Sequence, residues 1–303
     1  MQLFRNLTLF RFPLSVLTDL DAIESKLESQ ALRPLGAMEM ATRGFVSPFG
    51  RGESLLAQRV GQAVLVTLGG EDKILPPAVI NEELANKLDK IREEEGRVPG
   101  GRERKRIKDE VLTDLLPRAF TRPTRTSAYL DLDLAWCVID SASRKAAETV
   151  VSMIREAMGS FPAVPANAEG APRAMLTSWI AGEALPEGFS LGDECELIDP
   201  VDGGAVVKCR RQDLETDEIR EHLKTGKQAI RVSLVFDDRL SFVMGDDLVI
   251  RKLKFTEVAL ESLENGNRES AREEADAVFA LMSAELRVLL KRLEEVFTLS
   301  KVE

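Results

Sequence analysis

Three arginines, Arg118, Arg122 and Arg125, fall within eight residues of the segment LLPRAFTRPTRTSAYL (115–130), and no acid lies between Asp114 and Asp131. Unneutralised cations at this density suit a polyanion, whose phosphates they would contact. Pro117 and Pro123 stiffen the segment, and Phe120 sits between the charges in a stretch too polar for a core helix. An aromatic so placed can stack on or wedge against bases. It can equally anchor its loop or contact a second subunit. Lys208, Arg210 and Arg211 form a second acid-free cluster, with Gln212 beside them able to bond phosphate or sugar.

Other chemistry is thinner. Asp131, Asp133 and Asp140 could hold Mg²⁺ for a nuclease, but a solvated strand face and a turn account for them more simply. Gly69–Gly70, Gly100–Gly101 and Gly203–Gly204 are pairs, without the spacing of a nucleotide-phosphate loop. His222 is the single histidine, and Cys137, Cys195 and Cys209 are an odd number at wide spacing. That set offers neither a zinc site nor a Ser-His or Cys-His pair, and it suits free buried thiols in a reducing cytosol. No cofactor is implied.

Net charge is −10 and the pI is near 5.0, which taken as an average argues against a nucleic-acid partner. The average conceals a gradient. Residues 97–125 carry nine basic residues (Arg97, Arg102, Arg104, Lys105, Arg106, Lys108, Arg118, Arg122, Arg125) against four acids, a local +5 that leaves −15 on the remainder. Local fields decide where a polyanion docks. No apolar run reaches the ~18 residues of a membrane helix, and the N-terminus lacks the pattern of a signal peptide.

Around these clusters the pattern predicts a strand over residues 3–12, then a helix to about Ser29 capped by Asp19 or Asp21. Residues 61–70 read as a strand ending in a glycine turn. Pro76 or Pro77 opens a helix to about residue 94 on the stripe Ile80, Leu84, Leu88 and Ile91. A Pro-Gly-Gly tip leads to a second helix over 103–116, making a helical hairpin with a basic tip. A β-hairpin turning near Asp133 and a helix over 143–157 follow. After a proline-broken loop (161–172) come a short helix at 176–180, strands at 194–198 and 205–212, and a helix at 216–224. Three more strands at 228–236, 239–244 and 248–255 precede the C-terminal helix. There, Ala275, Phe279, Met282, Leu286, Leu289, Leu293 and Val296 form a heptad seam for the protein's own sheet or for a subunit contact.

Several of these stretches resemble the RdgC family of bacterial recombination-associated proteins. They are LFRNLTLFRF (3–12), EDKILPPAVINEEL (71–84), KDEVLTDLLPRAFTR (108–122), IDSASRKAAETVVSMIREAMGSFPAVP (139–165), RRQDLETDEIREHLKTGK (210–227), FVMGDDLVIRKLKF (242–255) and FALMSAELRVLLKRL (279–293). The resemblance implies an α+β fold: a horseshoe-like subunit of mixed sheets and helices with a projecting helical finger, closing as a ring-shaped homodimer. It divides the chain into a first α/β part (1–75 and 117–165), the finger (76–116) and a second α/β part with the C-terminal helix (166–303). It implies sequence-independent binding of single- and double-stranded DNA, no catalysis, restraint of RecA-promoted strand exchange, and a cytoplasmic, nucleoid-associated location without membrane contact. Phe120, Arg211 and Gln212 fall at positions implied for the dimer contact and DNA binding, with Arg211 standing where the family often has lysine. The expected DNA-facing set is Arg97, Arg102, Arg104, Lys105, Arg106, Arg118, Arg122, Arg125, Lys208, Arg210, Arg211 and Gln212. The alternatives are the Asp131, Asp133 and Asp140 nuclease, and a protein-binding scaffold whose basic tips grip an acidic partner.

Overall fold

A computed structural model describes residues 2–20, 22–50, 52–201, 204–264 and 270–302; Asp21, one expected cap, and Gly203 lie outside them. In chain order the elements begin with β1 (Thr8–Arg11), α1 (Leu17–Leu20), α2 (Ile23–Glu28), β2 (Ala41–Val46), β3 (Ala57–Val60) and β4 (Ala63–Lys73). Next are α3 (Pro77–Glu95), α4 (Gly101–Leu115), β5 (Thr121–Asp131), β6 (Trp136–Ile139), α5 (Arg144–Met158), β7 (Val164–Pro165) and α6 (Pro172–Ala181). The chain ends with β8 (Phe189–Ile198), β9 (Val206–Arg210), α7 (Asp217–Lys224), β10 (Gln228–Phe236), β11 (Leu240–Gly245), β12 (Ile250–Phe255), α8 (Glu257–Glu264) and α9 (Ala271–Phe297). This is a mixed α+β fold whose assigned strand pairs are antiparallel. No helix among the described residues is long and apolar enough to cross a membrane.

The chain divides into two units. The first takes Met1–Gln30, Ser47–Thr67 and Thr126–Glu303; the second takes Ala31–Val46 and Leu68–Arg125. In the first unit, β5, β6, β1 and β7 lie side by side, β3 pairs with β4, and a five-stranded sheet runs β12–β11–β10–β8–β9. The expected strand over 3–12 is shorter because its hydrogen bonds are divided. Leu7 exchanges backbone bonds with Ile250, and Arg5 accepts one from Leu253, before Thr8–Arg11 pairs with β6.

Helix α9 uses its heptad seam inside this unit. Ala275, Phe279, Met282, Leu286, Leu289 and Leu293 are buried, and Val296 packs against the same core. Ser270 caps the helix, accepting from the backbone N–H of Glu273 at 3.1 Å. Two charged contacts fix its rotation. Glu294 pairs with Arg11 and accepts from the Trp136 indole N–H at 2.9 Å, while the Arg11 guanidinium lies 4.3 Å above the Trp136 ring. Two turns earlier, Arg287 donates to Asp131 Oδ2 at 2.8 Å and to Asp133 Oδ2 at 2.9 Å.

Asp131 therefore is not on a solvated strand face. It is fully buried at the end of β5, and its Oδ1 accepts from the backbone N–H groups of Asp133 and Leu134, closing the turn into β6. Asp133 belongs to that turn, not to the strand. Asp140 accepts from the N–H groups of Arg5 and Asn6, each at 2.9 Å. The three carboxylates hold different pieces of backbone and one arginine. Among the described residues no group of three acidic, histidine or cysteine side chains could hold a metal ion.

In the second unit, β2, β4 and β5 are neighbours in that order. The glycine turn expected at Gly69–Gly70 is absent: both glycines lie within β4, which runs on to Lys73. They are required by close approach. A Cβ on Gly69 would stand 2.6 Å from Val46, and one on Gly70 would stand 2.7 Å from Arg43 and 2.8 Å from Thr124. Helices α3 and α4 form the expected hairpin, with Leu84, Ile107 and Val111 buried and Lys87 bonded to Asp114 at 2.6 Å. Gly96, at φ 67°, ends α3 in the left-handed conformation.

Replacing Arg287 with Met is expected to cost ~3 kcal/mol of stability, because it leaves Asp131 buried without its counter-charge. Urea unfolding measures this. A loss below ~1 kcal/mol, the scale of an exposed ion pair, contradicts the latch.

Candidate nucleic-acid interface

The candidate cations differ in what already holds them. In the second unit, Arg97 follows the C-terminus of α3 and reaches both Glu95 (2.6 Å) and, with two nitrogens, Glu103 in the first turn of α4 (2.6 and 2.8 Å). This staples the tip of the hairpin. The Arg97 hydrogen bonds hold the Glu103 carboxyl below its usual range, and those from Glu103 and Glu95 raise the guanidinium's own pKa. Arg106 stands 3.6 Å from Glu110, one helical turn away. Arg122 shares Asp72 with Arg43, the first at 3.9 Å and the second at 2.5 Å. Arg125 also has a partner within the protein.

Arg102, Arg104 and Lys105 are exposed on α4, Arg118 is exposed on the 3-10 turn between α4 and β5, and none of the four makes an ion pair among the described residues. The apolar positions Ile107 and Val111 take the buried side of α4, Arg102 and Lys105 fall on the opposite arc, and Arg104 shares the apolar side but is exposed in the first turn of the helix.

Phe120 follows Arg118 and is 84% exposed, the extreme case for an aromatic ring here. Its carbonyl accepts from Ile74 N–H at 2.8 Å, and the preceding Lys73 N–H donates to Met40 O. Ile74 and Met40 are themselves exposed, so exposed apolar residues sit on three chain segments that backbone hydrogen bonds hold together.

In the first unit, the second cluster lies on the edge strand β9. Alternation places Val207 and Cys209 inward and Lys208 and Arg210 outward. On the outward side, Glu196 and Glu194 are the cross-strand partners of Lys208 and Arg210. Lys208 and Arg231 both bind Glu196, at 3.2 and 2.8 Å, and Lys252 binds Glu194 at 2.5 Å. Burial alone would raise the Glu196 pKa, but the two cations outweigh it and leave the carboxyl below its ordinary value. Arg210 and Arg211 are exposed and make no ion pair among the described residues. Arg211 takes a left-handed φ of 54°, which breaks the strand. Gln212 donates from Nε2 to Glu218 at 3.0 Å, and its backbone N–H bonds Asp193 O.

Sequence reading did not single out Arg43, Arg231 or Lys252, which share carboxylates with the candidate residues. Strand alternation was the signal available, yet it gives a face without saying which strands share it. Nor did Ile74 and Met40 attract notice, because these exposed apolar residues and Phe120 come from segments far apart in sequence.

Comparison with known proteins follows this geometry. Residues 2–300 match the family described as "RdgC: Putative exonuclease, RdgC". "Recombination-associated protein RdgC" of Stenotrophomonas maltophilia (strain R551-3) is 55% identical over 301 residues, 99% of each chain. The proteins of the same name from Xanthomonas campestris pv. campestris (strain B100) and Xanthomonas axonopodis pv. citri (strain 306) are each 56% identical over the same length and coverage. With a family match across almost the whole sequence and relatives identical at more than half of its positions, the chain belongs to the RdgC family.

Proposed function

We propose that this protein binds single- and double-stranded DNA without sequence preference, as a ring-shaped homodimer, and restrains RecA-promoted strand exchange. The observation that carries the reading is the division among its basic residues. In a chain of net charge −10, Arg102, Arg104, Lys105, Arg118, Arg210 and Arg211 stay exposed with no carboxylate of their own among the described residues. Unpaired guanidinium and ammonium groups are poised to take phosphate oxygens without first breaking an ion pair. Nothing in their arrangement is a base-reading helix pattern, so contacts fall on the backbone and sequence is not read. Acids over the rest of the surface repel DNA there and steer it to the basic patches.

Phe120 supports the dimer. An exposed ring beside exposed Ile74 and Met40 gains ~1.5–3 kcal/mol on full burial, which a second copy supplies. In this reading Phe120 of one subunit packs near Arg211 and Gln212 of the other. A two-fold axis then makes each such contact twice and brings each basic patch twice around an enclosed hole. The protein occludes DNA as a closed collar, without catalysis, in the cytoplasm on the nucleoid.

Three outcomes check this. Changing Arg102, Arg104 and Lys105 together to Gln leaves folding intact, weakens DNA binding about tenfold at moderate salt, and flattens the dependence of log K on log[salt] by about 3. Arg97→Gln, whose guanidinium is already held by Glu95 and Glu103, is expected to do less; equal effects from both variants contradict the division of the cations. Phe120→Ala is expected to remain a folded dimer by sedimentation while losing inhibition of strand exchange more than DNA affinity. A loss confined to single strands, ~1–3 kcal/mol per stack, assigns Phe120 to base stacking instead. Finally, the parent protein is expected to form salt-resistant complexes on sealed circular duplex that dissociate once the circle is cut; identical stability on both forms contradicts encirclement.

A further inference from the structure

Strand β9 is the outermost strand of its sheet and, among the described residues, is paired with β8 alone. In that pairing Cys195 and Cys209 are directly opposite one another. Both side chains lie on the inward face: Cys195 is in the core, and Cys209 packs against it while half-buried. Directly opposed residues of an antiparallel pair have Cα atoms about 4.5 or 5.5 Å apart, and both spacings fall within the ~4.4–6.8 Å span of a disulfide. Cys137, the third cysteine, is fully buried on β6 and pairs in register with other strands, so it does not compete.

We infer that Cys195 and Cys209 form a reversible thiol-oxidation site, which a small disulfide such as glutathione disulfide converts into a cross-strand disulfide between β8 and β9. Cys209, the more accessible thiol, reacts first. It loses its proton to solvent, and its sulfur attacks one sulfur of glutathione disulfide. The glutathione S–S bond breaks, a mixed disulfide forms, and one glutathione thiolate leaves and is protonated. Cys195 then loses its proton and attacks Sγ of Cys209, expelling the second glutathione. Two protein thiols are oxidised to one disulfide, and one glutathione disulfide is reduced to two glutathiones. Burial, reinforced by the neighbouring Cys209, pushes the Cys195 thiol up to about 12. The second step is therefore slow, and the pair remains reduced when glutathione is mainly reduced. The bond would pin the strand carrying Lys208 and Arg210, and leading into Arg211 and Gln212, onto β8. This inference is independent of the DNA-binding reading.

The test equilibrates the full chain in glutathione buffers of rising disulfide fraction, alkylates remaining thiols, and maps peptides by mass spectrometry. The expected result is a linked Cys195–Cys209 peptide that increases with the disulfide fraction and disappears on reduction. Cys137 should be alkylated only after denaturation. Cys209→Ser, a change at a half-buried edge position, should show neither the link nor a glutathione adduct on Cys195. Persistence of both thiols in their reduced form, a glutathione adduct on Cys209 that is still the end product at equilibrium with Cys195 free, or a link to Cys137 would each overturn the assignment.

Discussion

The first unit depends on one constraint: helix α9 must bury a continuous apolar stripe while keeping two charges, Arg287 and Glu294, among the side chains it packs against. The stripe alone would tolerate rotation or a shift by a turn, since Leu286, Leu289 and Leu293 are near-equivalent in volume. The charges do not. Arg287 has its carboxylate only at the β5–β6 turn, where Asp131 is fully buried, and Glu294 has Arg11 and the Trp136 indole only on β1 and β6. Displacing the helix strands a buried charge, which costs far more than a lost hydrophobic contact. The latches thereby also set where β1, β5 and β6 end, and so where the chain can leave the sheet.

The same electrostatic economy governs the surface. Several candidate basic side chains satisfy themselves locally: Arg97 on Glu95 and Glu103, Arg122 with Arg43 on Asp72, Lys208 with Arg231 on Glu196. Against that background the unpaired cations of α4, the 3-10 turn after it and the end of β9 stand out. Charge density along the sequence did not distinguish these two populations. Arg97 and Arg102 look alike in a run of letters, yet one closes a hairpin and the other faces solvent.

What could be read beforehand followed local rules. The α3 start at its prolines, the α5 boundaries, the β10–β12 meander and the α9 seam all emerged close to where periodicity and turn residues placed them. The failures were tertiary. Gly69 and Gly70 looked like a turn because glycine usually marks one, and only the packed side chains of Val46, Arg43 and Thr124 show that they are there to avoid a collision. Residues 3–12 looked like one strand because alternation does not reveal that Leu7 bonds β12 while Thr8–Arg11 bonds β6. Asp131 looked solvated because its arginine lies 156 residues away. The basic runs and Phe120 were legible as clusters; their sharing of carboxylates was not.

The central claim is that DNA is held by exposed cations through its phosphates and by little else. It is tested most directly by equilibrium binding of the parent protein to linear duplexes of unrelated sequence across a salt series. About six phosphate contacts give a slope of log K against log[salt] near −5, with the same affinity for every sequence. Affinity indifferent to salt, or strongly dependent on sequence, would contradict it.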